Sequence, residues 1–426
     1  MLSSWPERWG SPSWVASALL VAGTVLSGNG VISAVLVGIG LVLGFPEVVR
    51  HCRDDVVVRL LAGVAVAVVV SALLVRSLPD VGSASQWRRW ATGEGRSFVA
   101  LGAVAIGVCV RGDDLRRLQR AVVGLVVGGI ALSLPFYFAR VGVPGFAIRR
   151  RVLLFALGSS HHIVGFTAAA ALLVLLSTPR LFRPGPTMSA ALVCLVGLGL
   201  SGSRSGLVGF AAGAVVVVFV RFGRRRGMAA LAALLVGGAA LVPLVPRYRT
   251  TAMLLVEAEF YDEAIRVYQD GFFDRGGTMS RSQAEANVLD RFARWGRAVD
   301  VVERSPLVGI GAFRINDQID EWAGIEHIAE FGVRGRRHFG DSQPHNMYLH
   351  LLGEFGVLGT AFYLSPYAVV GIGAWRRRSA AAPTAAMGLG LLGMVFAIGF
   401  VSAGLLTTGL ALSTNGLLAA AAGRRD

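Results

Sequence analysis

The sequence predicts an all-α polytopic membrane protein with about twelve transmembrane helices and one large extracytoplasmic loop domain between helices nine and ten. Three observations predict it. Hydrophobic residues make up 54% of the 426-residue chain and charged residues only 16%, with a mean hydropathy of +0.61, far from the composition of a soluble domain. Apolar runs near the roughly 20 residues that a bilayer core of about 30 Å requires recur along the chain. A single long polar stretch, 246–343, interrupts them.

The apolar runs centre near Ala22, Ile39, Val66, Val104, Val127, Ala170, Val196, Gly213, Leu235, Phe362, Leu392 and Leu412. The N-terminus lacks a cleavable-signal pattern, because Trp14 to Ser27 leads into a second apolar run instead of a small-residue cleavage site. The chain therefore divides into residues 1–245 with helices one to nine, a helical loop domain 246–345, and 346–426 with helices ten to twelve. The loop domain holds 16 of the 26 acidic residues and three of the seven histidines, the composition of a small folded domain. Within it Glu257 to Phe273 and Ala286 to Arg304 read as helices. In the second, Leu289, Phe292, Val299 and Val302 form an apolar stripe, and Arg291, Arg294 and Arg297 fall on a neighbouring face. Pro306 ends that helix at Ser305, and Gly309-Ile310-Gly311 follows as a turn.

All 41 basic residues are arginine, and the formal charge is +15. Most arginines lie at the ends of apolar runs, where they fix topology and meet lipid headgroups, which argues against nucleic-acid binding. One side of the membrane collects 19 of them, including Arg50, Arg111, Arg116, Arg221, Arg224 and Arg376, and the other collects nine, with the long loop set aside. The positive-inside rule then places both termini in the cytoplasm and the loop outside, in a cytoplasmic (inner) membrane. Cys52, Cys109 and Cys194 show neither pairing nor metal spacing, so no disulfide framework, metal or cofactor is expected.

Three motifs carry chemistry. Ser201-Gly202-Ser203-Arg204-Ser205-Gly206 stands at the outer membrane edge. An arginine at a helix centre costs about 2.5–3.5 kcal/mol to insert, falling toward the interface, so Arg204 needs an anionic partner or water. Taken alone, it reads first as a snorkelling arginine in a tight loop. In the loop domain, Arg291, Arg294 and Arg297 could grip a diphosphate bidentately, or form a solvated face paired with Asp290, Asp300 and Glu303. The run from Pro344 to Gly359 closes the loop and opens the tenth helix; it holds His345, Asn346, Tyr348 and Glu354. The helix dipole there favours a neutral imidazole at His345.

The Ser-Arg-Ser-Gly turn around Arg204, Arg291-x-x-x-Trp295 followed by Ser305-Pro306-Leu307-x-Gly309-x-Gly311-x-Phe313, and His345-Asn346-x-Tyr348-Leu349 with Glu354-x-Gly356 and Gly359 occur in one order. In that order and layout the chain resembles the O-antigen ligases and polymerases of bacterial envelopes. It departs from their pattern between Gly158 and Phe166, where His161 and His162 stand near the place of a common asparagine. The resemblance implies metal-independent, inverting glycosyl transfer from a polyprenyl-diphosphate-linked glycan to a hydroxyl of a glycan, lipid or protein acceptor. In that reaction Arg204 and Arg291 would stabilise the diphosphate leaving group and His345 would be the general base. Arg294, Arg297, His161 and His162 would bind substrate, Asn346 and Glu354 would orient His345 or hold sugar hydroxyls, and Trp295 and Tyr348 would stack on a sugar or pack. The competing class is a lipid-linked oligosaccharide flippase or secondary transporter, which would place its polar groups near the bilayer midplane.

Overall fold

A computed structural model describes residues 11–26, 30–51, 55–76, 96–139, 153, 161–241, 283–311, 344–379, 382–402 and 414–419, together with Ile315 and scattered positions between 249 and 265. No strand occurs among them. The helices are α1 (Pro12–Val25), α2 (Gly30–His51), α3 (Val56–Arg76), α4 (Arg96–Val108), α5 (Asp113–Ala139), α6 (His161–Ser177), α7 (Pro184–Ser201), α8 (Arg204–Phe222), α9 (Arg224–Leu241), α10 (Gln283–Arg304), α11 (Met347–Arg376) and α12 (Ala382–Val401). Eleven of the apolar runs thus carry a helix at the expected centre; the twelfth centre, Leu412, lies outside the described residues. Six helices, α2, α5, α7, α8, α11 and α12, are long and apolar enough to cross a membrane, and α1, α3 and α6 are shorter apolar helices.

The boundaries follow local chemistry. Pro12 opens α1 and Pro184 opens α7, each in the first helical turn where its missing N–H leaves no carbonyl unpaired. Asp113 and Asp114 lie in the first turn of α5, against the positive end of the helix dipole, and Asp114 also accepts from the Ser11 backbone N–H at 2.7 Å, tying α1 to α5. In the loop domain α10 ends at Arg304, as expected, and begins at Gln283, three residues before the expected start. Of the other expected loop helix, residues 259–262, 264 and 265 are helical where described.

The core is centred on α6, which is apolar on every side and buried from Val164 to Leu175. The α8 and α12 helices run antiparallel in close contact. Gly209 meets Met394 and Ile398, and Gly213 meets the Gly390 backbone, where a methyl group on either glycine would force the helices apart. By contrast α2 presents Val31, Val35, Val42, Phe45 and Val49 outward, as a helix facing lipid does.

At one end of the bundle arginines close the helix ends. Arg221 donates to the Leu176 carbonyl at 2.6 Å and the Ser177 carbonyl at 3.2 Å, and Arg120 donates to the Leu181 carbonyl at 3.1 Å. The antiparallel α8–α12 pair puts Arg204, Val401 and the start of α11 at the opposite end.

Candidate functional site

The site is built from helix ends. Gly202 (φ 62°) terminates α7 in the left-handed conformation, and Ser203 caps α8 by accepting the Gly206 N–H at 3.1 Å. Arg204, the first residue of α8, is exposed. Gly165 of α6 lies so close to Ser203 that a Cβ would overlap it, and Gly206 is packed against the Gly165 backbone. These glycines let α6 and α8 begin side by side, with His162 Nδ1 3.4 Å from Ser203 Oγ and the His161 and His162 rings 3.9 Å apart.

The α11 helix begins against the end of α12. The Met347 N–H donates to the Ser402 carbonyl at 3.2 Å. Asn346 is the N-cap: its Oδ1 accepts from Tyr348 and Leu349 at 3.0 and 3.1 Å, and its Nδ2 donates to the Phe400 carbonyl at 3.4 Å. Tyr348 donates its hydroxyl to the Phe396 carbonyl at 3.0 Å and rests on the Phe400 ring, with centroids 4.5 Å apart.

The loop helix α10 lies over that junction. Arg291 donates to the Val401 carbonyl at 3.1 Å, at the negative end of the α12 dipole. Trp295 Nε1–H donates to the Pro344 carbonyl at 2.8 Å, bracing the peptide before His345, and its ring lies against Phe292. The buried residues of α10 include Leu289, as expected, with Arg294, Ala298 and Val301, whereas Phe292, Val299 and Val302 of the expected stripe are only partly buried. The helix is rotated from the expected stripe, bringing Arg294 inward at 8% exposure. Arg297, on the neighbouring face, is 3.8 Å from Asp300.

His345 stands two residues before the first helical residue, not in the helix. Its φ of 50° makes it the one non-glycine residue with positive φ among the described residues. Such a conformation costs on the order of 1–3 kcal/mol and persists only where surrounding contacts over-determine it. Here the Trp295 bond on one side and the Asn346 cap on the other do so. Burial, then the Arg291 and Arg294 guanidinium groups, push the His345 imidazole down to about 3. The imidazole is neutral as expected, but buried surroundings and two arginines are the cause where the helix dipole was expected. Arg291, His345, His161 and Arg204 also all act electrostatically on His162. The residues from the three motifs therefore meet at one end of the bundle.

The Ser305–Gly311 motif has a backbone role that the sequence did not reveal. The α11 helix breaks at Gly356 (φ 60°, ψ −170°). Across the break Val357 and Leu358 donate to the Pro306 and Leu307 carbonyls at 2.8 and 3.1 Å, while Ile310 and Gly311 donate to the Gly353 and Glu354 carbonyls, both at 2.9 Å. Four backbone groups that the break would orphan inside an apolar helix are thus paired by the loop. A Cβ on Gly309 would overlap the Glu354 carbonyl, and one on Gly356 the Leu307 carbonyl, so both positions require glycine.

Glu354, next to this break, is 2% exposed, and its Oε1 lies 3.2 Å from His350 Nε2. His350 was not among the expected site residues. Its signal was an i, i+4 histidine–glutamate pair inside an apolar helix.

The fold and this junction define the class: an all-helical integral membrane protein with a cluster of arginines and histidines at one end of its bundle, braced by a helical loop segment. Residues 188–364 match the family model described as O-antigen ligase, which supports the resemblance carried by the motifs. The match runs from within α7 through α8, α9 and α10 into α11, and so contains Arg204, Arg291 and His345. No curated protein matches the chain.

Proposed function

We propose that the protein transfers a glycan from a polyprenyl diphosphate carrier to an acceptor hydroxyl at the outer face of the cytoplasmic membrane, without a metal and with inversion. The observation that carries this reading is the meeting of Arg204, Arg291, His345 and His162 where α6, α8 and α11 begin. Three helix N-termini and two guanidinium groups make a strongly positive end, suited to the charge that develops on a diphosphate leaving group. A neutral imidazole beside them accepts the proton of the incoming hydroxyl as the glycosidic bond breaks, so the carrier leaves as its diphosphate and the glycan gains a new bond to the acceptor oxygen. Arg204 is exposed at the start of α8, where it would meet the donor's phosphates, while Arg294 is held inside, where it tunes His345. Arg297 and His161 border the same end and would extend the contact to the donor.

The test is purified protein in detergent with a polyprenyl-diphosphate glycan and an acceptor. Release of polyprenyl diphosphate that disappears in His345→Ala and Arg291→Ala supports transfer. Movement of lipid-linked glycan between leaflets of proteoliposomes with no bond cleavage would replace it by the flippase reading. The clustering of the charged Arg204 and Arg291 side chains with His345 and His162 at one bundle end favours transfer.

A further inference from the structure

The bundle interior carries a second set of polar groups that the proposed reaction does not use. On α1, Ser13 and Ser17 are 0% and 2% exposed, one turn apart, and neither hydroxyl has a hydrogen-bond partner. Ser17 faces Gly416 of the short helical segment 414–419. Its neighbour Asn415 donates to the Tyr367 hydroxyl of α11 at 3.2 Å, and both residues are 0% exposed. One turn along α11 stands Tyr363, 4% exposed, with an unpartnered hydroxyl. The Glu354 carboxylate acts electrostatically on that hydroxyl, and Glu354 pairs with His350, whose Nδ1 is buried and unpartnered. The series begins at the arginine-rich end, where Ser11 is tied to Asp114, and finishes one turn inside the start of α11.

We propose that these groups line an internal file of bound water that enters beside Ser13 and ends at the His350–Glu354 pair. The physical reason is common to all of them. A hydroxyl or imidazole nitrogen buried without a partner is unfavourable in a dry apolar interior, and ordered water is the small ligand that satisfies such atoms. Water in contact with the unpartnered His350 Nδ1 can also carry protons to and from the His350–Glu354 pair. The Ser17 hydroxyl beside Gly416, the Asn415–Tyr367 hydrogen bond and Tyr363 one turn further along α11 supply polar groups along the way. Ser17, Tyr363 and Tyr367, the groups the test reads, take no part in the proposed transfer, so the outcome does not depend on that reaction.

Hydroxyl radicals made by X-ray radiolysis of bound water mark side chains next to that water even when bulk solvent cannot reach them. In the full-length protein in nanodiscs, Tyr363 and Tyr367 are expected to be modified several-fold faster than Phe166, an equally buried aromatic residue that stacks on His162 and lies outside the file. Labelling of both tyrosines no faster than Phe166 would overturn the proposal. Ser17→Val is expected to suppress labelling of Tyr363 and Tyr367 and leave the exposed Trp375 unchanged, while Ser17→Thr, which keeps the hydroxyl, retains it. Undiminished labelling in Ser17→Val would show that water reaches the tyrosines by another route and overturn the entry beside Ser13.

Discussion

At the scale of single residues, the site turns on what sets the proton affinity of His345. Its depressed value of about 3, against 6.5 for an ordinary imidazole, comes from burial and from Arg291 and Arg294. In the proposed reaction a bound diphosphate would neutralise those guanidinium groups and raise the imidazole's proton affinity, making it a stronger base only when donor is present. The acidic limb of kcat is therefore expected at higher pH than that of kcat/KM; coincident limbs would count against His345 as the base. The same shift has a stability consequence of definite sign. Because the folded state disfavours protonated His345, its contribution is complete above about 6.5 and is lost as pH falls toward about 3. Unfolding midpoints of wild type and His345→Gln should diverge through that window, with wild type losing more as pH falls. Trp295→Phe keeps the ring but leaves the Pro344 carbonyl without its donor, a loss of about 1–3 kcal/mol for a buried acceptor. It should lower kcat while donor KM changes little, since Trp295 braces the His345 turn. Arg204→Lys retains charge but not the fork, and turnover is expected to fall on the order of tenfold or more.

At the scale of elements, the break in α11 and the segment after α10 form one unit, because each supplies the backbone partners the other lacks. Gly356→Ala would force a side chain into a backbone region that glycine alone occupies comfortably, at about 1–3 kcal/mol, and would also drive a Cβ into the Leu307 carbonyl. Its thermal midpoint in detergent should fall by several degrees. Gly128→Ala in α5, where a Cβ meets nothing within 4 Å, should leave the midpoint unchanged or raise it slightly. An unaltered midpoint in Gly356→Ala would mean that the pairing of loop and helix contributes nothing to stability. This unit also marks where the sequence stopped being informative. Apolar length alone located the helices from Ala22 to Leu392, since hydrophobic transfer sets span length locally. Capping chemistry and residue type pointed to Arg204, Arg291 and His345. The Gly356 break could not be read, because nothing within α11 shows that the Val357 and Leu358 N–H groups find their acceptors at Pro306 and Leu307, about 50 positions earlier in the chain. The inward turn of Arg294 was hidden for the same reason: its partners lie on another element, and an apolar stripe takes no account of them.

At the scale of the whole molecule, the distribution of charge makes a prediction about sidedness. Arg120 and Arg221 close helix ends at one end of the bundle, and the sequence places Arg180, Arg224, Arg225, Arg226 and Arg376 there as well. The His345 cluster lies at the other end. Arginine retained on the cytoplasmic side during insertion fixes orientation through short connections, so the His345 end should face outward. A reaction on a polyprenyl-linked glycan displayed at the outer leaflet requires that direction, which makes orientation a constraint on the proposed chemistry as well as on the fold. Single cysteines report it directly. Val308, 67% exposed in the segment that clasps α11, and Arg225, exposed at the start of α9, sit at opposite ends. Cys109 and Cys194 are buried, and replacing Cys52 by serine removes the remaining thiol. In intact cells a membrane-impermeant maleimide should label Val308→Cys, whereas Arg225→Cys should react only after lysis. The reverse pattern would put the His345 cluster in the cytoplasm, out of reach of an externally displayed donor, and the transfer reaction proposed above would fall with it.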